Sequence, residues 1–304
     1  MAFKRIALIG LGLIASSISH AVRRAGMETE VTGYARTEKS REEARRLGLG
    51  TIFDTPQEAV QGADLVVLCV PVGAMAAVME AIAGDLEPGA IVTDVGSVKG
   101  AVMEAVSPYI PENVHFVPGH PLAGTEHSGP ASGFASLFDN RWWLLTPDEG
   151  VDRQAVEKVK DFLTEIGANV DEMEVSHHDL VLAVTSHIPH LIAYTMVGVA
   201  DDLGRVTQSE VVNYSAAGFR DFTRIAASDP TMWRDVFLSN KTATLDILGR
   251  FTEELFALQR AIRTGDGEHL FDYFTRTRAI RRGIVQAGQD TDAPDFGRGL
   301  THQK

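Results

Sequence analysis

Apolar positions in the first part of the chain fall into short blocks, and the stretches between them have helical spacing. Residues 5–9, 30–34, 51–53, 65–70 and 90–93 read as strands. Residues 15–25, 38–47 and 74–83 carry apolar positions three and four apart and read as helices. Such alternation indicates parallel βαβ units, so the expected fold is an α/β, doubly wound Rossmann-type parallel sheet. Residues 115–145 are rich in Gly, Pro, His and Ser and read as functional loop. A strand at 142–146, a helix at 153–166 and a strand at 168–172 close the first domain, 1–174. Beyond Val175 strand signals stop. Residues 180–203 are helical. Trp233, Phe237, Asn240, Thr244, Ile247, Leu248, Phe251, Leu255, Leu258 and Ile262 recur at helical steps and predict one long amphipathic helix over 233–263. A last helix over 269–284 and a poorly ordered tail, 286–304, complete an all-helical second domain, 175–304. No internal repeat is visible.

Composition narrows the classes. A chain of 304 residues suffices for two cores, and 44% hydrophobic with 23% charged residues is the balance of a globular protein. A net charge of −13 argues against a nucleic-acid partner, which needs a basic face, so an anionic substrate has to be caught by a local cation. The single cysteine, Cys69, lies in the apolar run Val66-Val67-Leu68-Cys69-Val70 and reads as a buried small hydrophobe. Absence of an intramolecular disulfide fits a cytoplasmic location. The longest uncharged apolar stretch, 65–79, contains Pro71 and Gly73 and is shorter than the roughly 20 residues of a membrane span, so no membrane segment is expected. Lys4 and Arg5 before an apolar run imitate a signal peptide, but the glycines within that run have a better explanation.

Gly10-Leu11-Gly12-Leu13-Ile14-Ala15 follows the first strand and opens the first helix. Gly10 permits a tight turn, Gly12 lets backbone approach a pyrophosphate, and Ala15 allows close helix–strand packing. The helix N-terminus, at Leu13 and Ile14, supplies free N–H groups for phosphates. Tyr34 at the end of the second strand, and Val70 and Pro71 after the fourth, belong to the same expected nicotinamide dinucleotide site. An NAD enzyme usually ends its second strand with an acidic residue. Here Tyr34-Ala35-Arg36-Thr37 stands instead, so Arg36 and Thr37 are candidates for a 2′-phosphate and the cofactor is NAD or NADP.

Candidate chemistry is carried by Asp94-Val95-Gly96-Ser97-Val98-Lys99 beyond a strand, by Gly119-His120-Pro121-Leu122-Ala123-Gly124-Thr125-Glu126, by Ser186-His187-Ile188-Pro189-His190, and by the stretch from Phe219 through Arg224 to Trp233. In these segments the chain resembles the prephenate dehydrogenase family, which includes cyclohexadienyl and arogenate dehydrogenases, and the resemblance covers nearly its whole length. It implies oxidative decarboxylation of prephenate or arogenate, with hydride passing from ring C4 to the nicotinamide. By that resemblance His120 accepts a hydrogen bond from the C4 hydroxyl and Ser97 orients hydroxyl and nicotinamide. Arg224 holds a carboxylate, one or both of His187 and His190 line the substrate pocket, Thr125 and Glu126 contact the substrate side chain, and Trp233 lines the pocket; core packing is the alternative for His187 and Trp233. His187 and His190 are three residues apart and can share a helix face. No third or fourth ligand stands at recognised spacing, so no metal is expected. His177 and His178 read as structural or solvated.

Two other readings stay open. A β-hydroxyacid dehydrogenase shares this architecture but normally uses a lysine in its helical domain. Here Lys241 is the only lysine between Lys160 and Lys304. A non-catalytic nicotinamide sensor would keep the glycine loop and lose His120, Ser97 and Arg224. Excess apolar surface on the C-terminal helices, together with the resemblance, predicts a homodimer built through the second domain.

Overall fold

The computed structural model describes residues 3–206 and 217–286. The predicted tail lies outside the described residues, apart from Gln286. The chain forms two compact units, Met1–Leu245 and Asp246–Lys304.

In the first unit β1 (Arg5–Ile9), β2 (Glu30–Tyr34), β3 (Thr51–Ile52), β4 (Leu65–Leu68), β5 (Ile91–Asp94) and β6 (His115–Phe116) form a six-stranded sheet in the order β3-β2-β1-β4-β5-β6. All pairs are parallel. Helices α1 (Leu13–Arg24), α2 (Glu38–Leu47), α3 (Pro56–Val60), α4 (Val72–Ile82) and α5 (Lys99–Val106) connect the first five strands and lead out of β5. Alternate strand residues enter two different cores. Ile6, Leu8, Leu65 and Val67 pack with Ile18, Val22 and Phe162, whereas Ala7, Ile9, Val66 and Leu68 pack with Met75, Met79 and Val102. A sheet covered on both faces has to be apolar at every position, which is why these strands read as continuous hydrophobic runs.

The loop predicted over 115–145 contains more order than expected. β6 adds the last strand of the main sheet, and β7 (Gly119–Pro121) opens a second, three-stranded sheet with β8 (Trp142–Leu145) and β9 (Asn169–Glu172). β7 and β8 are antiparallel, β8 and β9 parallel, with α6 (Arg153–Glu165) between the last two. Pro118 has no N–H with which to continue the β6 ladder, and its carbonyl accepts instead from Thr146 N at 2.9 Å. The chain is thereby handed from one sheet to the other immediately before His120.

A helical run follows: α7 (Val175–Leu182), a π-helical turn at Ala183–His187, and α8 (Ile188–Val206). Pro189 cannot donate to the carbonyl of Thr185, and the widened turn accommodates that missing bond. By length and composition the stretch Val175–Leu203 is apolar enough to cross a membrane, although no membrane segment is expected from the uncharged run at 65–79. Within it His178, Asp179 and His187 engage β7, α5 and Asn240, while 28% of its most apolar window is buried.

After α9 (Ala217–Thr223) the expected single helix is divided. α10 (Pro230–Ser239) ends at Asn240, whose φ of −100° and ψ of 42° leave the helical region, and α11 (Lys241–Thr264) begins afresh. Asn240 is buried and spends its amide sideways, on Asp179 O at 2.8 Å and His187 Nδ1 at 3.1 Å. Asn side chains compete with helical backbone bonding in this way. In the second unit the remainder of α11 and α12 (Gly267–Gln286) are joined at Gly265, with Asp266 Oδ1 accepting from His269 N at 3.0 Å to cap α12. Phe256, Ile262, Phe271, Phe274 and Ile280 are exposed on this unit.

Candidate active site

Parallel strands bring all their carboxyl ends to one edge, and the strand order reverses between β1 and β4, where open α/β sheets bind ligands. Gly10 turns there with φ of +104°, and a Cβ would lie 2.6 Å from Cys69 O, so only glycine fits. Gly10 N donates to Tyr34 O at 2.8 Å. At Gly12 a Cβ would meet nothing within 4 Å, and no side chain caps α1, whose first turn carries no acidic residue. Ala15 is fully buried against the sheet. An open backbone cradle with uncapped N–H groups from Leu13 onward suits a dinucleotide pyrophosphate. Val70 adjoins Gly10, and Pro71 precedes α4 on the neighbouring strand's exit.

At the end of β2, Arg36 is exposed and its guanidinium has no protein partner among the described residues. Thr37 is already occupied as the N-cap of α2, where it accepts from Ser40 N at 3.2 Å. Arg41 is committed to Ala35 O, Glu38 and Asp54.

Beside this cradle lies a buried clamp. Asp94 and Lys99 are both fully buried and paired, and Lys99 Nζ also donates to Gly119 O at 2.6 Å. Asp94 accepts from Gly96 N at 2.7 Å and from Gly119 N at 3.1 Å. Both faces of the Gly119 peptide unit region are therefore held. A Cβ on Gly119 would sit 2.7 Å from Trp143 Nε1, so the close approach demands glycine. His120 follows on β7, a strand and not the expected loop, and is 8% exposed. Ser97 is half-buried between β5 and α5, with no hydrogen-bond partner for its hydroxyl among the described residues.

The helical segment supplies the other wall. His120 Nδ1 lies 3.0 Å from His178 Nε2, and His178 Nδ1 lies 2.8 Å from Asp179 Oδ1. Burial first, then the charges of His178, Lys99 and His187, push His120 well below the ordinary histidine value. His120 is thus neutral and able to accept a proton at neutral pH. His190 stacks on Trp233 with centroids 3.6 Å apart, and His187 meets the same indole edge-on at 6.1 Å. His190 Nδ1 donates to Ser186 O at 2.8 Å, which leaves Nε2 as its acceptor. Asn240 donates to His187 Nδ1, so the proton of neutral His187 is on Nε2, a buried atom without a partner among the described residues. Burial lowers His187 to about 4. Arg224 pairs with Glu126 at 2.9 Å, and its charge helps to lower His190, after burial.

The family models for the prephenate dehydrogenase nucleotide-binding domain and the prephenate dehydrogenase dimerization domain match residues 18–172 and 174–276. The chain belongs to the prephenate dehydrogenase family. A cyclohexadienyl dehydrogenase of Zymomonas mobilis is 43% identical over 93% of this chain and 96% of its own length. A prephenate dehydrogenase of Bacillus subtilis is 35% identical over 92% of this chain and 76% of its own. Among solved structures, Aquifex aeolicus prephenate dehydrogenase in complex with hydroxyphenyl propionate and NAD+ superposes with a TM-score of 0.87 at 30% identity, covering 93% of this chain and 99% of that one.

Within this member of the family six of the eight residues expected to catalyse or hold substrate fall into contacting groups. His190 and His187 both meet Trp233, and Arg224 pairs with Glu126, while the charge of His187 bears on His120 and that of Arg224 on His190. Arg224 and Glu126, expected to meet substrate separately, meet each other. Thr125 is exposed and its hydroxyl accepts from His127 N at 3.2 Å, within a local turn. His177 and His178 are both expected to be structural or solvated. His177 is exposed, but His178 is buried against His120. One signal was available: His178 precedes Leu182 by four residues, which places it on the buried face of α7. Asp179 was also missed, because its partners are the backbone N–H groups of Lys99 and Gly100.

Proposed function

We propose that the chain catalyses NAD(P)-dependent oxidative decarboxylation of prephenate to 4-hydroxyphenylpyruvate, of arogenate to tyrosine, or of both, in tyrosine biosynthesis. The observation that carries this reading is a buried His120, clamped through Gly119 at the carboxyl edge of the sheet and adjoining a pyrophosphate cradle. His120 Nε2 takes the C4 hydroxyl proton as hydride leaves C4. The C1–carboxylate bond then breaks, CO₂ departs, its electron pair completes the aromatic ring, and the oxygen takes the proton back. Nicotinamide, when bound, accepts the hydride. Ser97 orients the hydroxyl. Arg224 exchanges Glu126 for a substrate carboxylate, a pairing for which its planar fork is suited. Aromatisation provides the driving force, so the protein's task is positioning and proton acceptance.

Arg36 supports use of NADP as well as NAD, since Thr37 is engaged elsewhere and Arg36 is a cation at the end of β2 with no partner among the described residues. The match of 174–276 to a dimerization domain, with the exposed aromatic and aliphatic side chains of Asp246–Lys304, supports a homodimer.

The test crosses prephenate and arogenate with NAD and NADP, following the near-ultraviolet absorbance of reduced nicotinamide, with His120→Ala alongside. Reduction that depends on substrate and is largely lost in the variant is expected. Cofactor binding without reduction in every combination would sink the proposal.

A further inference from the structure

We propose that Asp179 and His178 are positioning residues that fix His120 in its Nδ1–H tautomer, leaving Nε2 as the lone pair that faces substrate. The argument is one of donors and acceptors. Asp179 receives N–H groups from Lys99 at 2.8 Å and Gly100 at 2.9 Å, so its carboxylate is an acceptor at the start of α5. Burial alone would raise the Asp179 carboxyl, but the hydrogen bonds from His178, Gly100 and Lys99 together hold it below its ordinary value. His178 Nδ1, 2.8 Å from Asp179 Oδ1, must carry a proton to bond there. Burial keeps His178 neutral at neutral pH, so its Nε2 holds a lone pair. That atom is 3.0 Å from His120 Nδ1, and two lone pairs cannot face each other at that distance. His120 Nδ1 is therefore protonated, and its other nitrogen is free to act as the base.

A solvated histidine side chain prefers the opposite tautomer, with the proton on Nε2, which would present substrate with a donor. The selection is made across the chain: β7 carries His120, whereas α7 supplies the two residues that set its proton. When His120 gains a proton at Nε2, the resulting imidazolium keeps donating to His178, whose Asp179 partner compensates the charge. The charged or titratable groups that bear on the pair from neighbouring elements are Lys99 of α5, Asp94 of β5 and His187 of the π turn.

The inference rests on His120 as base for its functional meaning, but the tautomer can be read without turnover. Nitrogen-15 NMR of the full chain labelled at histidine, with His120→Gln to identify the resonance, should show His120 as Nδ1–H with an unprotonated Nε2 at neutral pH. His178→Phe should revert it to Nε2–H and lower kcat by about 10²–10⁴-fold with the cofactor KM unchanged. His178→Gln, which keeps an acceptor opposite Nδ1, should retain the tautomer and recover part of kcat. An Nε2–H or cationic His120 in the wild-type chain overturns the proposal, and so does a His178→Phe enzyme with wild-type kcat. If neither prephenate nor arogenate is oxidised while the NMR shows Nδ1–H, the functional reading fails and the relay stands.

Discussion

Lys99→Met tests the clamp that holds His120. In the wild type Lys99 neutralises a fully buried Asp94 and donates to Gly119 O. Met has similar length and no charge, so the variant keeps the packing and leaves a buried carboxylate held only by Gly96 N and Gly119 N. Removing one partner of a buried ion pair costs about 3–5 kcal/mol, a large share of the 5–15 kcal/mol that typically separates folded from unfolded states. For a unit of this size that corresponds to a fall in Tm of roughly 6–20 °C. Urea unfolding at fixed protein concentration is the assay, because association would otherwise shift the midpoint. The double variant Asp94→Asn with Lys99→Met removes the stranded charge and keeps an acceptor for one N–H, and should recover about 1–3 kcal/mol. kcat should fall in the single variant more than stability alone requires, because Gly119 and His120 lose their fixed position. A Lys99→Met protein within about 1 kcal/mol of wild type would refute the reasoning, since the pair would then not be holding a charge in the core.

Other expectations follow from the same geometry. Arg36→Asp should lower the efficiency with NADP relative to NAD, and an unchanged ratio would remove Arg36 from the 2′-phosphate site. Stability should fall as pH drops from 6.5 towards 4, because the unfolded chain takes up protons that folded His187, lowered to about 4, refuses. That histidine alone accounts for about 3 kcal/mol over the window, all of it present above pH 6.5, and a flat stability curve there would contradict its burial. Light scattering at micromolar concentration should give the mass of a dimer, and a monomeric mass would leave the exposed apolar side chains of α12 unexplained.

The parallel sheet was legible because a strand covered on both faces has to be apolar throughout, as Leu65 to Leu68 are. β7 was not, since Gly119-His120-Pro121 has neither an apolar run nor alternation. It is a strand because Trp143 to Leu145 pair with it, and that pairing is long-range. The glycine turn could be read from local sequence because Gly10, with φ of +104°, sits directly between a strand and a helix. Thr37 could not be assigned in the same way, because its hydroxyl serves equally well as a helix cap or a phosphate ligand, and Ser40 claimed it.

Asn240 shows why the site's supporting residues escape periodicity altogether. Phe237, Asn240 and Thr244 keep the three- and four-residue steps of one helix, so the break between α10 and α11 leaves no trace in the pattern. What divides the helix is a set of bonds to groups more than fifty residues away, Asp179 O and His187 Nδ1. The same amide therefore fixes the tautomer of His187 and tethers the backbone of Asp179, whose carboxylate sets His178 and, through it, His120. Family resemblance singles out His120 in the sequence, because the Gly119-His120-Pro121 segment that carries the resemblance is contiguous. The residues that decide which of its nitrogens carries the proton come from α7 and the α10–α11 break, and only the folded arrangement brings them to it.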